Sequence, residues 1–235
     1  MDQRLDAHLI GSLLGLLAHD LRNPLSALHS NVGFLESVVG SADPDAREAL
    51  ADVTASCSSL KHIIDNLELL GLAVLDEPPR LERGPVGLVD LVNDVLGRLE
   101  VVATSYGVQI TFEGAAQRQI RLLAHREMLA RALANLLFNA IQHGGSKTAI
   151  AVSVAVSGTS ATVIVSDSGP PLSEELRATA FTAQGQLVSK SESYGRYSRG
   201  LGLFAATIAA GLAGAEVRAF GGNEGNAFEL RGTLA

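Results

Sequence analysis

Between residues 10 and 72 the apolar side chains recur at intervals of seven, and no other feature narrows the possible folds as much. Leu14, Leu21, Leu28 and Leu35 form one row. Ile10 and Leu17 begin a second, continued with a one-residue shift by Leu25, Val32 and Val39. The repeat predicts one long amphipathic helix from Asp2 to Gly40 with a coiled-coil-like seam. The segment Gly40-Ser41-Ala42-Asp43-Pro44 then breaks the pattern, with Asp43 placed to cap a second helix and Pro44 at its first position. That helix runs to about Leu72, with rows Leu50, Cys57, Ile64 and Val53, Leu60, Leu67. Two helices joined by a short turn make an antiparallel hairpin. Each carries a broad apolar stripe, and one hairpin cannot cover both. A homodimer forming a four-helix bundle resolves the excess, and Cys57 is expected in its core.

The rest of the chain follows a different rule. Leu75–Pro85 carries a cluster of prolines and charges and reads as a linker or an extended first strand. It divides a helical domain, residues 1–75, from a second domain, residues 86–235, with residues 76–85 between. In the second domain, helices are expected at Val86–Ser105, His125–Gln142, Leu172–Thr179 and Leu201–Leu212. Strands are expected at Val108–Phe112, Gln119–Leu123, Thr148–Val156, Ala161–Ser166, Glu216–Phe220 and Ala227–Leu230. Ser157-Gly158-Thr159-Ser160 is a hairpin signal. Phe181–Arg199 is polar with no periodicity and reads as a mobile loop. The predicted fold class is α+β: a helical hairpin, then an α/β sandwich of one sheet covered by helices on one face.

Composition removes several functions. Lys and Arg total 18 against 25 Asp and Glu, a net charge of −7, which argues against a nucleic-acid or anionic-membrane surface. A single cysteine allows neither a disulfide framework nor a multi-cysteine zinc site within the chain. No apolar run approaches the roughly 18–20 residues of a membrane span, and no signal-peptide core follows Met1. The expectation is a soluble, cytoplasmic protein. No sensor domain is recognisable ahead of the first helix, so any signal is expected from another protein, from the bundle itself or from a segment outside this sequence.

Four clusters could carry chemistry. In Ala18-His19-Asp20-Leu21-Arg22-Asn23-Pro24-Leu25, His19 and Asn23 are i,i+4 neighbours. His19 lies about 140° around the helix from Leu14 and should face outwards. A carboxylate beside an accessible imidazole can orient one ring nitrogen and accept its proton, leaving the other to attack. Pro24 within a helix costs about 3 kcal/mol and suggests a bend. Asn135, Asn139 and His143 form a polar stripe on an otherwise apolar helix, and amide oxygens there suit Mg²⁺. Asp167-Ser168-Gly169-Pro170-Pro171 ends a strand, where a buried carboxylate could accept from an exocyclic amine. Gly200-Leu201-Gly202 opens a helix, where glycines let backbone N–H groups approach phosphate. Each cluster alone also fits a structural role: a surface histidine, a solvated stripe, an ordinary turn. The fourth also matches a dinucleotide fingerprint, but no strand precedes its glycines, as that fold requires.

The order of the clusters is more specific than any one of them. His19-Asp20-Leu21-Arg22-Asn23-Pro24-Leu25, then Asn135–His143, Asp167–Pro171, Phe181 and Gly200–Leu203 resemble the H, N, G1, F and G2 boxes of bacterial two-component sensor histidine kinases. The hairpin resembles their dimerisation and phosphotransfer domain. The remainder resembles the ATP-binding domain shared with gyrase and MutL ATPases. The resemblance implies that His19 accepts phosphate, that Asp20 is the general base, and that Asn23 helps position water when a partner is dephosphorylated. It implies ATP and Mg²⁺ as cofactors, with Asn139 on the metal and Asn135 and His143 lining the same site. Asp167 would bind the adenine amine, and Gly169 would allow close approach. Gly200, Leu201 and Gly202 would border the triphosphate, and Phe181 with residues 182–199 would cover the nucleotide. The implied partner is a response regulator receiver domain.

Pro171 and Ser198 stand where the family usually has glycine, and Gln142 where a basic residue is frequent. Pro171 removes a backbone donor, and Ser198 restricts the backbone relative to glycine. These departures leave a second reading, a phosphotransfer adaptor or phosphatase with a weakened ATPase. An anti-sigma type serine kinase would share the ATP fold but not the hairpin with its histidine box.

Overall fold

The computed structural model describes residues 7–39, 44–74, 79–114, 119–143, 149–169, 171–182, 201–220 and 225–235. It divides into two compact units, Met1–Pro79 and Arg80–Ala235. Among the described residues no helix is long and apolar enough to cross a membrane.

The first unit holds α1 (Ala7–Val39) and α2 (Pro44–Ala73). The expected turn at Gly40–Asp43 lies outside the described residues. Only one of the seven-residue rows of each helix closes the hairpin. Ala18 and Leu25 of α1 meet Cys57 and Ile64 of α2 in a buried cluster, with Leu67 against it. The row Leu21, Leu28 and Leu35 is exposed, as are Ile10 and Leu17 beside it and Val53, Leu60 and Ile63 on α2. The small residues explain the choice. A Cβ on Gly71 would stand 3.0 Å from the Gly11 carbonyl oxygen, so the backbones approach too closely there for a larger pair. Along the flank of this seam, Arg22 reaches Asp65 at 3.2 Å and Glu68 at 3.3 Å, and Lys61 reaches Asp65 at 2.9 Å.

The second unit runs β1 (Gly84–Gly87), α3 (Leu88–Ser105), β2 (Gln109–Glu113), β3 (Arg121–Ala124), α4 (Arg126–His143), β4 (Ala149–Ser157), β5 (Ser160–Asp167), α5 (Glu174–Thr179), α6 (Gly202–Ala213), β6 (Ala215–Phe220) and β7 (Asn226–Thr233). Five strands form one sheet in the order β2-β4-β5-β7-β6. β2 and β4 are parallel, which requires the crossover that α4 supplies, and the other neighbours are antiparallel. Alternate residues of β4 and β5 (Ile150, Val152, Val154; Ala161, Val163, Val165) are buried, as the period-two pattern demands. They meet α4, whose Leu129, Leu133, Leu136, Leu137 and Ile141 are fully buried.

Three expectations are corrected. The sheet is not alone: β1 and β3 pair separately as a two-stranded antiparallel ribbon. Val86 and Gly87 consequently belong to β1, opposite Leu122 and Arg121, and the helix begins at Leu88. Val86 fits either a helix face or a strand face, so periodicity could not decide, whereas pairing to Leu122, 36 residues away, does. The short helix also starts at Glu174 rather than Leu172. At the other end of the unit, Gly214 ends α6 at φ +86°, where a Cβ would strike the Arg83 guanidinium.

Candidate functional site

His19 and Asp20 lie on the exposed side of α1, with side-chain exposures of 70% and 67%. The expectation that His19 faces outwards is met. His19 Nδ1 lies 3.5 Å from Asp20 Oδ1, the outer limit of a hydrogen bond. An imidazole that donates from Nδ1 presents Nε2 as its lone-pair nitrogen. Asn23 is exposed one turn further on. Pro24 stays within the helix, and its missing N–H deprives the Asp20 carbonyl of its helical donor. Sequence reasoning gave no role to Arg22, which ties this turn of α1 to α2.

In the second unit, α4 presents the asparagines. His125 stands just before it, and its Nδ1 accepts from the Met128 N–H at 3.4 Å. Asn135 is only 2% exposed. Its Nδ2 donates to the Arg131 carbonyl at 3.0 Å, while the buried Oδ1 has no hydrogen-bond partner among the described residues. An orphaned acceptor of this kind costs about 1–3 kcal/mol, so it calls for a ligand. Asn139 is half-buried one turn later. His143 is the last residue of α4, and its side chain lies outside the described set. No group of three or more His, Cys, Asp or Glu gathers among the described residues. Amide oxygens are nonetheless the hard donors that Mg²⁺ takes, and the orphaned Oδ1 fits that ion.

The start of α6 abuts Asn135: a Cβ built on Gly202 would lie 3.6 Å from Asn135 Oδ1. Leu201 caps this helix with no side-chain hydrogen bond. The first N–H groups of a helix have no intrahelical acceptor and favour an anion. Gly200, Ser198 and Arg199 lie outside the described residues, as does the rest of 183–200.

Asp167 ends β5 and is 6% exposed. Its Oδ1 accepts from the Gly169 N–H at 2.9 Å and from Asn226 Nδ2 at 3.2 Å. Asn226 Oδ1 in turn accepts from the Leu172 N–H at 2.7 Å. One amide therefore holds both the carboxylate and the loop beyond it. The loop's tie uses the N–H of Leu172, so the missing donor of Pro171 does not break it. Gly225 packs directly under this turn: at φ +134° a Cβ would stand 2.1 Å from the Asp167 carbonyl oxygen. Gly225 and Asn226 were not identified from sequence, because their partner lies 59 residues away across the β5–β7 pair. The local signal was the glycine-rich run Gly221-Gly222-Asn223-Glu224-Gly225.

Phe181 stacks edge-to-face on Phe228, with ring centroids 6.3 Å apart. Thr207 Oγ1 of α6 donates to the Phe181 carbonyl at 3.3 Å. A continuous chain of contacts thus runs from Asn135 through Gly202 and α6 to Phe181, Phe228 and β7, and on to Asn226 and Asp167. Helix α6 touches Asn135 at Gly202 and Phe181 at Thr207, and β7 carries both Phe228 and the Asn226 that holds Asp167.

Comparison with known proteins agrees. Residues 10–72 match the His Kinase A (phospho-acceptor) domain. Residues 124–233 match the histidine kinase-, DNA gyrase B- and HSP90-like ATPase family. The signal transduction histidine-protein kinase AfsQ2 of Streptomyces coelicolor is 29% identical over 231 residues, covering 92% of this chain and 40% of that protein. The sensor histidine kinase ZraS of Escherichia coli is 31% identical over 176 residues, covering 74% of this chain and 36% of that protein. The chain therefore spans about two fifths of the length of these relatives. The catalytic domain of histidine kinase ThkA superposes with a TM-score of 0.55 at 24% identity, over 65% of this chain and 96% of that one, a likeness of fold.

Proposed function

The chain belongs to the two-component sensor histidine kinases, with both parts of their core, and from that premise we propose that it moves the γ-phosphoryl group of ATP to His19. In this reading the group then passes to an aspartate of a response regulator receiver domain. Residues 1–75 dimerise and carry the phosphoryl group, residues 76–85 link, and residues 86–235 bind ATP. The observation that carries the proposal is the exposed His19 imidazole with Nδ1 turned to Asp20. Nε2 attacks the γ-phosphorus, the bond to the β,γ-bridging oxygen breaks, and ADP leaves with the electron pair. Asp20 accepts the Nδ1 proton as the ring would otherwise become cationic.

The second unit does no covalent chemistry, and its contribution is positioning and charge. Asp167, held by Gly169 and Asn226, accepts from the adenine amine. Phe181 closes the site beside Phe228. The start of α6, with Gly200, Leu201 and Gly202, borders the phosphates. Asn139, with Asn135 and His143, would hold Mg²⁺, which when bound neutralises phosphate charge. Asn23 would place the water that dephosphorylates a bound regulator. The exposed Leu21–Leu28–Leu35 row supports a homodimer, since a monomer would leave it in water. The use of ATP favours a cytoplasmic site of action, with input from a separate sensor or regulatory segment.

The test is incubation with Mg²⁺ and γ-labelled ATP of the chain, His19→Ala and Asn139→Ala. Acid-labile, alkali-stable label on the unsubstituted chain and on neither variant is the expected result. No label on a folded, dimeric chain overturns the autokinase reading and favours the adaptor or phosphatase.

A further inference from the structure

We propose that Arg22 is the phosphoryl-binding residue of the hairpin, its guanidinium held ready by α2 to pair with the phosphoryl group once His19 carries it. The inference rests on the reading that His19 is the phosphorylated residue.

Three observations carry it. First, Arg22 is three residues after His19, so the two are neighbours on the helix surface, roughly 5–6 Å apart at Cβ. The Arg22 Cα–Cβ bond tilts towards the N-terminus, as in any helix, so the side chain sets out on the side of the turn that holds His19, and its guanidinium ends against α2. Second, Arg22 is oriented from outside its own helix. Asp65 Oδ1 and Glu68 Oε2 of α2 lie 3.2 and 3.3 Å away, and both are reached by the same nitrogen, Nη2. Nη1 and Nε make no hydrogen bond among the described residues, so part of the donor fork is unused. Third, the existing contacts are long. Charge-assisted N–H···O bonds usually measure about 2.7–2.9 Å, and the Arg22 side chain is 35% exposed. A phosphoryl group of charge about −1.5 to −2 with three acceptor oxygens would bind such a fork bidentately. Asp65 and Glu68 then serve as an aiming device, and Lys61 at 2.9 Å from Asp65 shares their charge.

The physical consequence is a lowered second proton affinity of the phosphoryl group, because a guanidinium favours its dianion. The charged groups facing it are Asp20 on α1 and Asp65, Glu68 and Lys61 on α2. Phosphoramidate phosphorylates accessible imidazoles without ATP, so the test does not need the kinase. The full chain, Arg22→Gln and Arg22→Lys are treated with phosphoramidate, with His19→Ala identifying the His19 signal. The phosphoryl resonance is then titrated by ³¹P NMR, and helix content is followed by circular dichroism. The expected titration midpoint is lowest in the unsubstituted chain, higher by about half a pH unit or more in Arg22→Gln, and intermediate in Arg22→Lys. A merely structural arginine would alter helix content without this ordering. Equal midpoints in the unsubstituted chain and Arg22→Gln overturn the proposal. Failure of the ATP-labelling experiment leaves this titration intact, so the two readings fail separately.

Discussion

Replacing Asn135 with leucine should stabilise the second unit while destroying its nucleotide site. Asn135 is 2% exposed, with a buried Oδ1 that has no partner among the described residues. Relieving such an acceptor returns about 1–3 kcal/mol. Leucine has the same branching at Cγ, is a better helix former by a few tenths of a kcal/mol, and buries extra apolar surface. Against this stands the lost hydrogen bond from Nδ2 to the Arg131 carbonyl, about 0.5–1.5 kcal/mol. The larger side chain must also fit beside Gly202, where the open space extends about as far as an ordinary van der Waals contact. The balance is a gain of about 1 kcal/mol, or roughly 2–4 °C in the melting temperature of a unit this size. Thermal unfolding without nucleotide measures it, and titration with Mg-ATP should show affinity reduced tenfold or more. A variant less stable by about 1 kcal/mol would refute the reasoning, since Oδ1 would then have a partner in the folded chain. Unchanged ATP affinity would remove Asn135 from the site. The opposed signs are what a functional residue predicts: stability is sacrificed where a ligand is to be held.

Two further outcomes follow from the packing. Leu28→Glu should convert the dimer to a monomer with the hairpin intact, because Leu28 is 45% exposed and outside the buried cluster; sedimentation that still shows a dimer of undiminished affinity would place the interface elsewhere. Gly225→Ala should cost about 3 kcal/mol or more, from a left-handed backbone and a Cβ set against the Asp167 carbonyl oxygen. Urea denaturation measures this, and a loss below about 1 kcal/mol would mean that the turn relaxes without penalty.

Local pattern was enough for most of the elements. Seven-residue rows predicted both long helices, and period-two alternation predicted β4 and β5 within a residue of their ends. The order of the boxes carried the resemblance to the family, because each box is contiguous in the chain, and the family models match the same two stretches, residues 10–72 and 124–233. The misread boundary at Val86 had another origin. Both secondary structures suited the residues, and the deciding hydrogen bonds came from β3.

By itself the sequence determined most of the helices and strands, which residues carry ionisable groups, and that two apolar rows needed covering. Tertiary structure decided which row closes the hairpin, because only the Gly11–Gly71 approach shows where the backbones can meet. It decided that Asn226 holds Asp167 and that Arg22 answers to Asp65 and Glu68. The reason is one of range. Periodicity and capping act over one or two turns of chain, and they leave their mark in neighbouring letters. A hydrogen bond across 43 or 59 residues leaves none until the chain has folded and brought its partners together.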